Sequence, residues 1–275
     1  MIKAIMSDID GTLLSSYNCV TSNTVNAIKK AREKGILFGL STGRDVKGIL
    51  DLLTGWGIDG LVDLIVGSGG AEIYDFKTQA YHVRYPLEGK LIKEIITHFE
   101  GLDCNFAISE DGIFCTPKDD RHIRALSEGD LVDYKVVDYD EFLKEPRIKL
   151  IIVCDEKDMD KIVERASTFK SDQFNSSSLK TASTLYEYYD PRVTKSSGIE
   201  AILKPYNISL EEVLAFGDAD NDYDMIKNVG LGVVMENGSE KTKSVAQYIT
   251  QDNDHDGIGN FINQLMEENK LWKKK

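Results

Sequence analysis

Two aspartates stand one residue apart where an apolar run gives way to a turn. Asp8 and Asp10 lie in "SDIDGTLL", directly after the apolar "IKAIM" of residues 2–6. On an extended segment, side chains two positions apart point the same way, so both carboxylates are expected to face one crevice. An aspartate can attack phosphorus or move a proton. Because "DG" alone also favours a plain turn or a helix cap, the interpretation depends on what lies nearby.

Two further polar clusters follow predicted buried strands. "STGR" (residues 41–44) comes after "ILFGL", and "GDADND" (residues 217–222) comes after "VLAF". Ligands of open α/β sheets bind beyond the carboxyl ends of the strands, so these clusters are expected to meet. Asp218 and Asp222 can approach Asp8 only if their strand is its neighbour in the sheet, and the carboxylates would then repel one another without a cation. Mg²⁺, which prefers oxygen ligands and a few carboxylates, resolves that repulsion and is the expected cofactor.

Other residues could hold the charge of a phosphoryl group. Thr42 and the backbone N–H groups around Gly43 lie at a strand-to-helix turn, where anions bind well. Lys195, in "VTKSSG" just before a predicted helix, brings a full positive charge. Residues of these types can support phosphoryl transfer to an aspartate, with a second carboxylate moving protons for the leaving oxygen and for a water that hydrolyses the aspartyl phosphate.

Strand and helix patterns alternate in the first and last thirds of the chain, which predicts an α/β fold with a parallel sheet and right-handed crossovers. From about residue 82 the pattern changes to short strands mixed with helices, with a polar stretch between "GIFCT" and "IKLIIV". This mixture is typical of a separate α+β unit. We expect a core of residues 1–81 and 190–275, with a cap of residues 82–189 inserted into it.

Composition limits the possible partners. The formal net charge of −13 argues against a nucleic-acid surface, which needs clustered Lys and Arg. The 4 cysteines contain no CxxC pair, which favours reduced thiols over a zinc site or a disulfide framework. With no signal segment and no apolar run that could span a bilayer, a cytoplasmic protein without a membrane partner is expected. The basic "KLWKKK" at residues 270–275 is expected to be a solvated tail.

Taken in order, the motifs resemble those of the haloacid dehalogenase superfamily of aspartate-nucleophile phosphatases, in particular its Cof-type branch, subfamily IIB, with a C2 cap. "DIDGTLL" resembles the first motif, "STGR" the second, the Lys of "TKSSG" the third and "GDADNDYDMI" the fourth. The resemblance implies a Rossmann-like three-layer core and Mg²⁺-dependent hydrolysis of a small phosphomonoester. A sugar phosphate is the first expectation, followed by nucleotide or cofactor phosphates. We expect a monomer or a weak homodimer.

The resemblance also implies a role for each polar residue of the four motifs. Asp8 would be the nucleophile and a metal ligand, and Asp10 the acid/base, with its backbone carbonyl on the metal. The residues implied to hold the phosphoryl oxygens are Thr42, Gly43, Lys195 and Asn221. Asp218 would bind magnesium, and Asp222 would support the metal shell or orient the lysine. Arg44 is either a substrate contact or part of a structural ion pair.

Two other functions remain open at this level. A phosphotransferase or phosphomutase of the same superfamily would use the same nucleophile, and a phosphate-responsive regulatory protein could bind without catalysis. Two departures from the family pattern bear on the substrate. "GSGGA" stands where many relatives have Asn-Gly-Ala, and Ser196 and Ser197 follow the lysine, often followed by Gly in the family.

Two motifs look like sites of other kinds. "DNDHDG" (residues 252–257) matches the first half of a calcium-binding loop, but Asn263 occupies the position that requires Glu, so a capped polar turn is expected. "GSGGAE" (residues 67–72) resembles a dinucleotide-binding turn, but Glu72 stands where the third glycine belongs.

Overall fold

The computed structural model describes residues 1–171 and 177–268, so the basic tail of residues 270–275 lies outside the described residues. The chain divides into two compact units, Met1–His82 with Thr194–Lys275, and Val83–Val193. We refer to them as unit 1 and unit 2. No helix within the described ranges combines the length and the apolar character needed to cross a bilayer.

Both units contain strands and helices. The strands are β1 (Ala4–Ser7), β2 (Leu37–Ser41), β3 (Leu64–Gly67), β4 (Glu72–Asp75), β5 (Ala80–Val83), β6 (Cys104–Glu110), β7 (Ile113–Thr116), β8 (Tyr134–Val136), β9 (Leu150–Cys154), β10 (Ser177–Lys180), β11 (Leu185–Tyr189), β12 (Val213–Gly217), β13 (Leu231–Met235) and β14 (Tyr248–Thr250). The helices are α1 (Ser22–Glu33), α2 (Val46–Leu52), α3 (Gly89–His98), α4 (Arg121–Asp130), α5 (Tyr139–Phe142), α6 (Met159–Ser167), α7 (Lys195–Leu203), α8 (Tyr223–Asn228), α9 (Glu240–Lys243) and α10 (Gly257–Glu267).

Unit 1 is built on an 8-stranded sheet with the order β14-β13-β12-β1-β2-β3-β4-β5. The six strands from β14 to β3 run parallel, and β4 runs antiparallel to β3. The chain leaves β1 for β2 on one side and later adds β12 on the other side, which makes the carboxyl end of β1 a topological switch point. Ser7 pairs with Phe216, so the loops after β1 and β12 begin side by side.

Alternation along β1 explains the two-sided core of unit 1. Ile5 faces a cluster that includes Ile28 of α1 and Ile262 of α10. Its neighbours Ala4 and Met6 face the opposite cluster, which contains residues of α7 and α8. A strand that is covered on both faces needs apolar residues at every position, which is the pattern of "AIM". The helix–sheet–helix layering and the parallel sheet confirm the expected α/β fold.

The first helix has a capping residue at each end. The Thr21 side chain accepts a hydrogen bond from the Thr24 N–H at 3.3 Å, which caps α1. Ala27 and Ile28 are buried on the inner face. Gly35, with φ +80°, follows the helix in the left-handed conformation that glycine adopts without strain.

Unit 2 contains a 6-stranded sheet with the order β10-β11-β9-β6-β7-β8. One face packs against α3 and α6, and the other against α4. The polar stretch after "GIFCT", to which the sequence pattern assigned no element, forms α4, β8 and α5. Only Ile123 and Leu126 of α4 are buried apolar residues, which is too short a stripe to predict a helix.

Residues 252–257, which resemble the first half of a calcium-binding loop, form a capped turn, as expected. The Asp252 carboxylate accepts hydrogen bonds from the backbone N–H groups of Asp254 and His255, at 3.0 and 2.9 Å. These bonds account for the acidic residue without a cation.

Close packing in unit 1 can be tested at Gly232 of β13. A Cβ there would lie 2.2 Å from the Ile226 carbonyl oxygen, whereas a Cβ at Gly35 would meet nothing within 4 Å. We predict that Gly232→Ala lowers the free energy of unfolding by about 3 kcal/mol, because backbone must move. Gly35→Ala should cost only about 1 kcal/mol for its positive φ. Equal losses in urea denaturation would contradict this packing.

Candidate active site

The first aspartate is held where β1 meets β12. The Asp8 backbone N–H donates to the Phe216 carbonyl at 3.0 Å, and only 6% of the residue is exposed. The chain then turns at Gly11, whose φ is +78°. The Asn237 side-chain amide donates to the Gly11 carbonyl at 2.8 Å, which fixes the turn from the loop after β13. The result is a buried carboxylate at the carboxyl end of a central strand.

Lys195 joins this carboxylate to the fourth motif. Its Nζ lies 2.7 Å from Asp8 Oδ1 and 2.5 Å from Asp222 Oδ1, and the residue is 3% exposed. The sequence analysis placed Lys195 before a helix, but it is the first residue of α7. Thr194 precedes it as the cap, with its hydroxyl accepting from the Ser197 N–H at 3.1 Å. The cap stabilises the first turn of α7, which carries the lysine.

Asp222 is fully buried and its oxygens are engaged. While Oδ1 accepts from Lys195, Oδ2 accepts the backbone N–H groups of Asp218 and Ala219, both at 3.0 Å. The side chain therefore ties the lysine to the loop that follows β12. Of the two roles implied for Asp222, orienting Lys195 is the one that these contacts favour.

Asp218 lies against the turn of the first motif. Its Oδ1 accepts the Thr12 hydroxyl at 2.6 Å. A Cβ on Gly11 would lie 2.6 Å from Asp218 Oδ2, so glycine is needed there for space as well as for its positive φ. The Ser239 N–H donates to the Asp218 carbonyl at 2.7 Å. These contacts hold the two acidic loops close together.

The cluster suits a hard divalent cation. Oxygen atoms of Asp8, Asp218 and Asp222 lie within 4.8 Å of one another. Three carboxylates against the single ammonium of Lys195 leave two negative charges uncompensated. The two positive charges of one Mg²⁺ would balance them. Carboxylate oxygens are also the ligands that this ion prefers.

Burial shifts the pKa values of the charged groups in this cluster. Burial, partly offset by Lys195, raises the pKa of the Asp8 carboxyl above its ordinary value. Burial also raises the pKa of Asp218 to about 6, against the lowering effect of the Thr12 hydrogen bond. For Lys195, burial favours the neutral amine, but the Asp222 and Asp8 carboxylates outweigh it and raise its pKa. A cation would relieve the strain on the two carboxylates.

Asp10 occupies a different environment from Asp8. Its side chain is 52% exposed, and both oxygens accept from Arg44, Oδ2 from Nε and Oδ1 from the guanidinium Nη2, each at 2.8 Å. Its carboxylate is not part of the three-carboxylate cluster. Arg44, which the sequence left between two roles, forms an ion pair that links the first two motifs.

The remaining predicted residues surround this centre. Thr42 is buried, with its hydroxyl accepting from the Arg44 N–H at 3.2 Å. Gly43 and Asn221 are exposed at turns of the second and fourth motifs. The structure thus brings Asp8, Lys195, Asp218 and Asp222 into one network through side-chain contacts.

Sequence reasoning missed three residues that support the site. Thr12 and Asn237 hold the acidic loops, as described above, and Ser196 anchors α7 by donating its hydroxyl to Asp224. Thr12 stood inside a quoted motif, so its position was a signal that could have been used. Nothing in the sequence around Asn237 indicated that its amide reaches Gly11.

Comparison with known proteins agrees with this geometry. A family model described as haloacid dehalogenase-like hydrolase matches residues 5–262. The chain is 26% identical over 262 residues to the 5-amino-6-(5-phospho-D-ribitylamino)uracil phosphatase YitU of Bacillus subtilis, an alignment covering 94% of this chain and 96% of that protein.

Solved structures share the fold. A haloacid dehalogenase-like hydrolase from Bacteroides thetaiotaomicron superposes with a TM-score of 0.84 at 24% identity, covering 96% of this chain and 100% of that one. The subclass IIB sugar phosphatase BT4131 gives a TM-score of 0.81 at 23% identity, covering 96% and 99%.

Fold and site together define an α/β protein with an acidic centre at the switch point of its parallel sheet. The chain belongs to the haloacid dehalogenase-like hydrolase family, and it is a phosphatase of that family, as the motifs implied.

The raised pKa of Asp218 predicts a pH dependence of stability in the metal-free protein. Between pH 3.8 and about 6 the folded state holds the proton that the unfolded state releases, so stability falls as pH rises through this window. After allowance for partial exposure, we expect a loss of about 2 kcal/mol.

Asp218→Asn keeps an acceptor for Thr12 and should remove this part of the loss. The measurement is urea unfolding at pH 4 and pH 7 with a chelator. The same pH dependence in both proteins would contradict the assignment.

Proposed function

We propose that this phosphatase is a Mg²⁺-dependent hydrolase of small phosphomonoesters that acts through an aspartyl phosphate on Asp8. The observation that carries the proposal is the buried Asp8 carboxylate, bound through Oδ1 to Lys195 and placed beside Asp218 and Asp222. Among the described residues, Asp8 Oδ2 accepts no side-chain hydrogen bond that would prevent it from attacking. A buried carboxylate with one oxygen oriented and the other available suits a nucleophile.

Asp8 and Asp218 would hold the metal through their carboxylates, and Asp10 through its backbone carbonyl. Asp222 would act mainly through Lys195, since its oxygens already accept from the lysine and from two N–H groups. When bound, Mg²⁺ supplies positive charge that reduces the repulsion between an anionic carboxylate and an anionic phosphoryl group.

The first step forms a bond between Asp8 Oδ2 and phosphorus and breaks the bond from phosphorus to the leaving oxygen. Asp10 enters this step as the protonated acid and gives its proton to that oxygen. Because both Asp10 oxygens accept from Arg44 in the structure, one of these two bonds must give way when Asp10 meets the leaving group.

The second step removes the phosphoryl group from Asp8. Asp10, now a carboxylate, takes a proton from water, and the resulting oxygen attacks phosphorus while the bond to Asp8 Oδ2 breaks. Inorganic phosphate leaves, and both aspartates return to their starting states. Lys195, the Thr42 hydroxyl, the Gly43 N–H and the Asn221 amide are the groups proposed to hold the phosphoryl oxygens during both steps.

The substrate we favour is a phosphorylated sugar or polyol. The Bacillus subtilis relative is named for a substrate that carries a 5-phospho-D-ribityl group, at 26% identity. We further propose that residues 82–189 form the cap that chooses the leaving group and excludes water during the first step. Hydrolysis of a panel of phosphorylated metabolites would identify the class.

Turnover of p-nitrophenyl phosphate tests the nucleophile and the metal. We predict that Asp8→Asn lowers kcat by at least about 10³-fold, because an amide is a poor nucleophile, and that a chelator does the same until Mg²⁺ is restored. Asp63→Asn is the control, since Asp63 pairs with Arg32 before β3 and should retain activity. Activity unaffected by Asp8→Asn or by chelation would exclude the mechanism.

Removing the proposed acid/base should separate the two steps. We predict that Asp10→Asn still forms phosphoenzyme from an activated aryl phosphate but hydrolyses it about 10²-fold to 10⁴-fold more slowly, because proton transfer is lost. Rapid acid quenching should show protein-bound phosphate accumulating. Wild-type turnover in this variant would remove Asp10 from the mechanism.

Product analysis with a sugar phosphate as substrate tests the rival reaction. An isomerised sugar phosphate without free phosphate would identify a phosphomutase.

A further inference from the structure

The glycine-rich segment that resembled a dinucleotide-binding turn has a different structure. Ser68, Gly69 and Gly70 have φ values of +48°, +65° and +113°, and they reverse the chain from β3 into the antiparallel strand β4. A dinucleotide-binding turn leads from a strand into a helix, so that function is excluded for this segment. A Cβ on Gly70 would lie 2.1 Å from the Thr194 carbonyl, which shows how closely this turn approaches the start of α7.

This turn is bonded to the loop of the second motif. The Ser68 N–H donates to the Arg44 carbonyl at 2.7 Å, and the Gly69 N–H donates to the Thr42 carbonyl at 2.8 Å. A Cβ on Gly67 would lie 3.0 Å from the Arg44 carbonyl, so the two backbones are in close contact. The conformation of residues 42–44, which we call the phosphate loop, therefore depends on the conformation of the turn.

Glu72 holds both parts together. Only 4% of the residue is exposed, although it carries a carboxylate on a strand. That carboxylate accepts hydrogen bonds from the Ser68 hydroxyl and from the Tyr81 hydroxyl, the latter at 2.7 Å. The Val46 backbone N–H lowers the pKa of the same carboxyl. Val46 is the first residue of α2, and only Asp45 separates it from the phosphate loop.

A buried carboxylate on a strand, as at Glu72, is energetically costly and calls for a physical explanation. Burial raises the pKa of Glu72, against the lowering effect of the Ser68 and Tyr81 hydroxyls, so the residue carries a desolvation cost that an apolar side chain on a strand would not. A buried polar group that is retained with several partners usually fixes a particular arrangement of those partners. Here the partners lie on each side of the phosphate loop.

We propose that Glu72 is a positioning residue that fixes the phosphate loop for binding of the phosphoryl group. It acts through Ser68, whose hydroxyl it binds and whose N–H binds the Arg44 carbonyl, and its charge also attracts the Val46 N–H at the start of α2. The proposal rests on the proposed function, since it concerns affinity for a phosphoryl group at that site. It assigns no chemical step to Glu72.

Glu72→Gln tests the proposal with a nearly isosteric change. The side-chain amide of this variant has one acceptor oxygen where the carboxylate has two, so it cannot accept from both the Ser68 and the Tyr81 hydroxyl in the same way. The phosphate loop should therefore be held less firmly. We expect KM for p-nitrophenyl phosphate and the inhibition constant of inorganic phosphate both to rise by about threefold to tenfold, while kcat stays within about twofold. A residue with only a structural role would lower the Tm and the active fraction without changing either constant.

Asp75→Asn is the matched control. Asp75 is also a buried carboxylate on β4, but its donors are the backbone N–H groups of Lys77 and Thr78 and the Tyr206 hydroxyl, all away from the phosphate loop. This variant should lose thermal stability to a similar extent and keep wild-type KM and phosphate inhibition.

Ser68→Ala provides an independent test, because it removes one donor and no carboxylate. It should raise the phosphate inhibition constant by about twofold to threefold. In the double variant with Glu72→Gln the two effects should be less than additive, because both changes break the same bond, between the Ser68 hydroxyl and the Glu72 carboxylate. Unchanged phosphate inhibition in both single variants of an active enzyme would overturn the proposal. If the wild-type protein hydrolyses no phosphomonoester, the proposed function itself fails, which is a separate result.

Discussion

The structure of the site depends on one interaction, the pairing of the buried Lys195 ammonium with the carboxylates of Asp8 and Asp222. Charges removed from water are costly unless partners compensate them, and one lysine cannot compensate three acids. The remaining negative charge is the physical reason for expecting a divalent cation. Burial, to which the neighbouring acids add, raises the pKa values of Asp8 and Asp218 above their ordinary values.

The fold supplies the donors that this cluster requires. β1 and β12 are adjacent and parallel, so the loops that carry Asp8 and Asp218 start at the same edge of the sheet. Asp222 folds back to accept N–H groups from its own loop, and Thr12 donates across to Asp218. Glycine at position 11 permits this approach because a side chain would collide with Asp218. The third motif enters from α7, so elements from both ends of the chain build one centre.

Much of this arrangement could be predicted from the sequence. The four motifs follow buried strands or precede a helix, and the carboxyl ends of parallel strands meet, so Asp8, Asp218 and Lys195 could be placed together before any coordinates were known. The difference between Asp8 and Asp10 could not be predicted. Spacing of two predicts a shared orientation, but it does not indicate that Arg44 binds both oxygens of Asp10 or that this side chain is 52% exposed.

Other features depended on contacts between residues far apart in sequence. Asn237 reaches Gly11 from the loop after β13, and no local pattern indicates such a bond. In unit 2, α4 buries too few apolar residues for its periodicity to be recognised. Glu72 was noticed only as a mismatch to a dinucleotide-binding motif, and its hydrogen bonds give that mismatch a physical meaning.

The central claim is that the Asp8 carboxylate becomes covalently phosphorylated. Wild-type protein mixed with Mg²⁺ and a phosphomonoester, quenched in acid within milliseconds and mapped by peptide mass spectrometry, tests it most directly. The account predicts one phosphoryl group, on Asp8, that appears during turnover and disappears when substrate is exhausted. Turnover without any phosphoprotein, or a phosphoryl group on another residue, would contradict it.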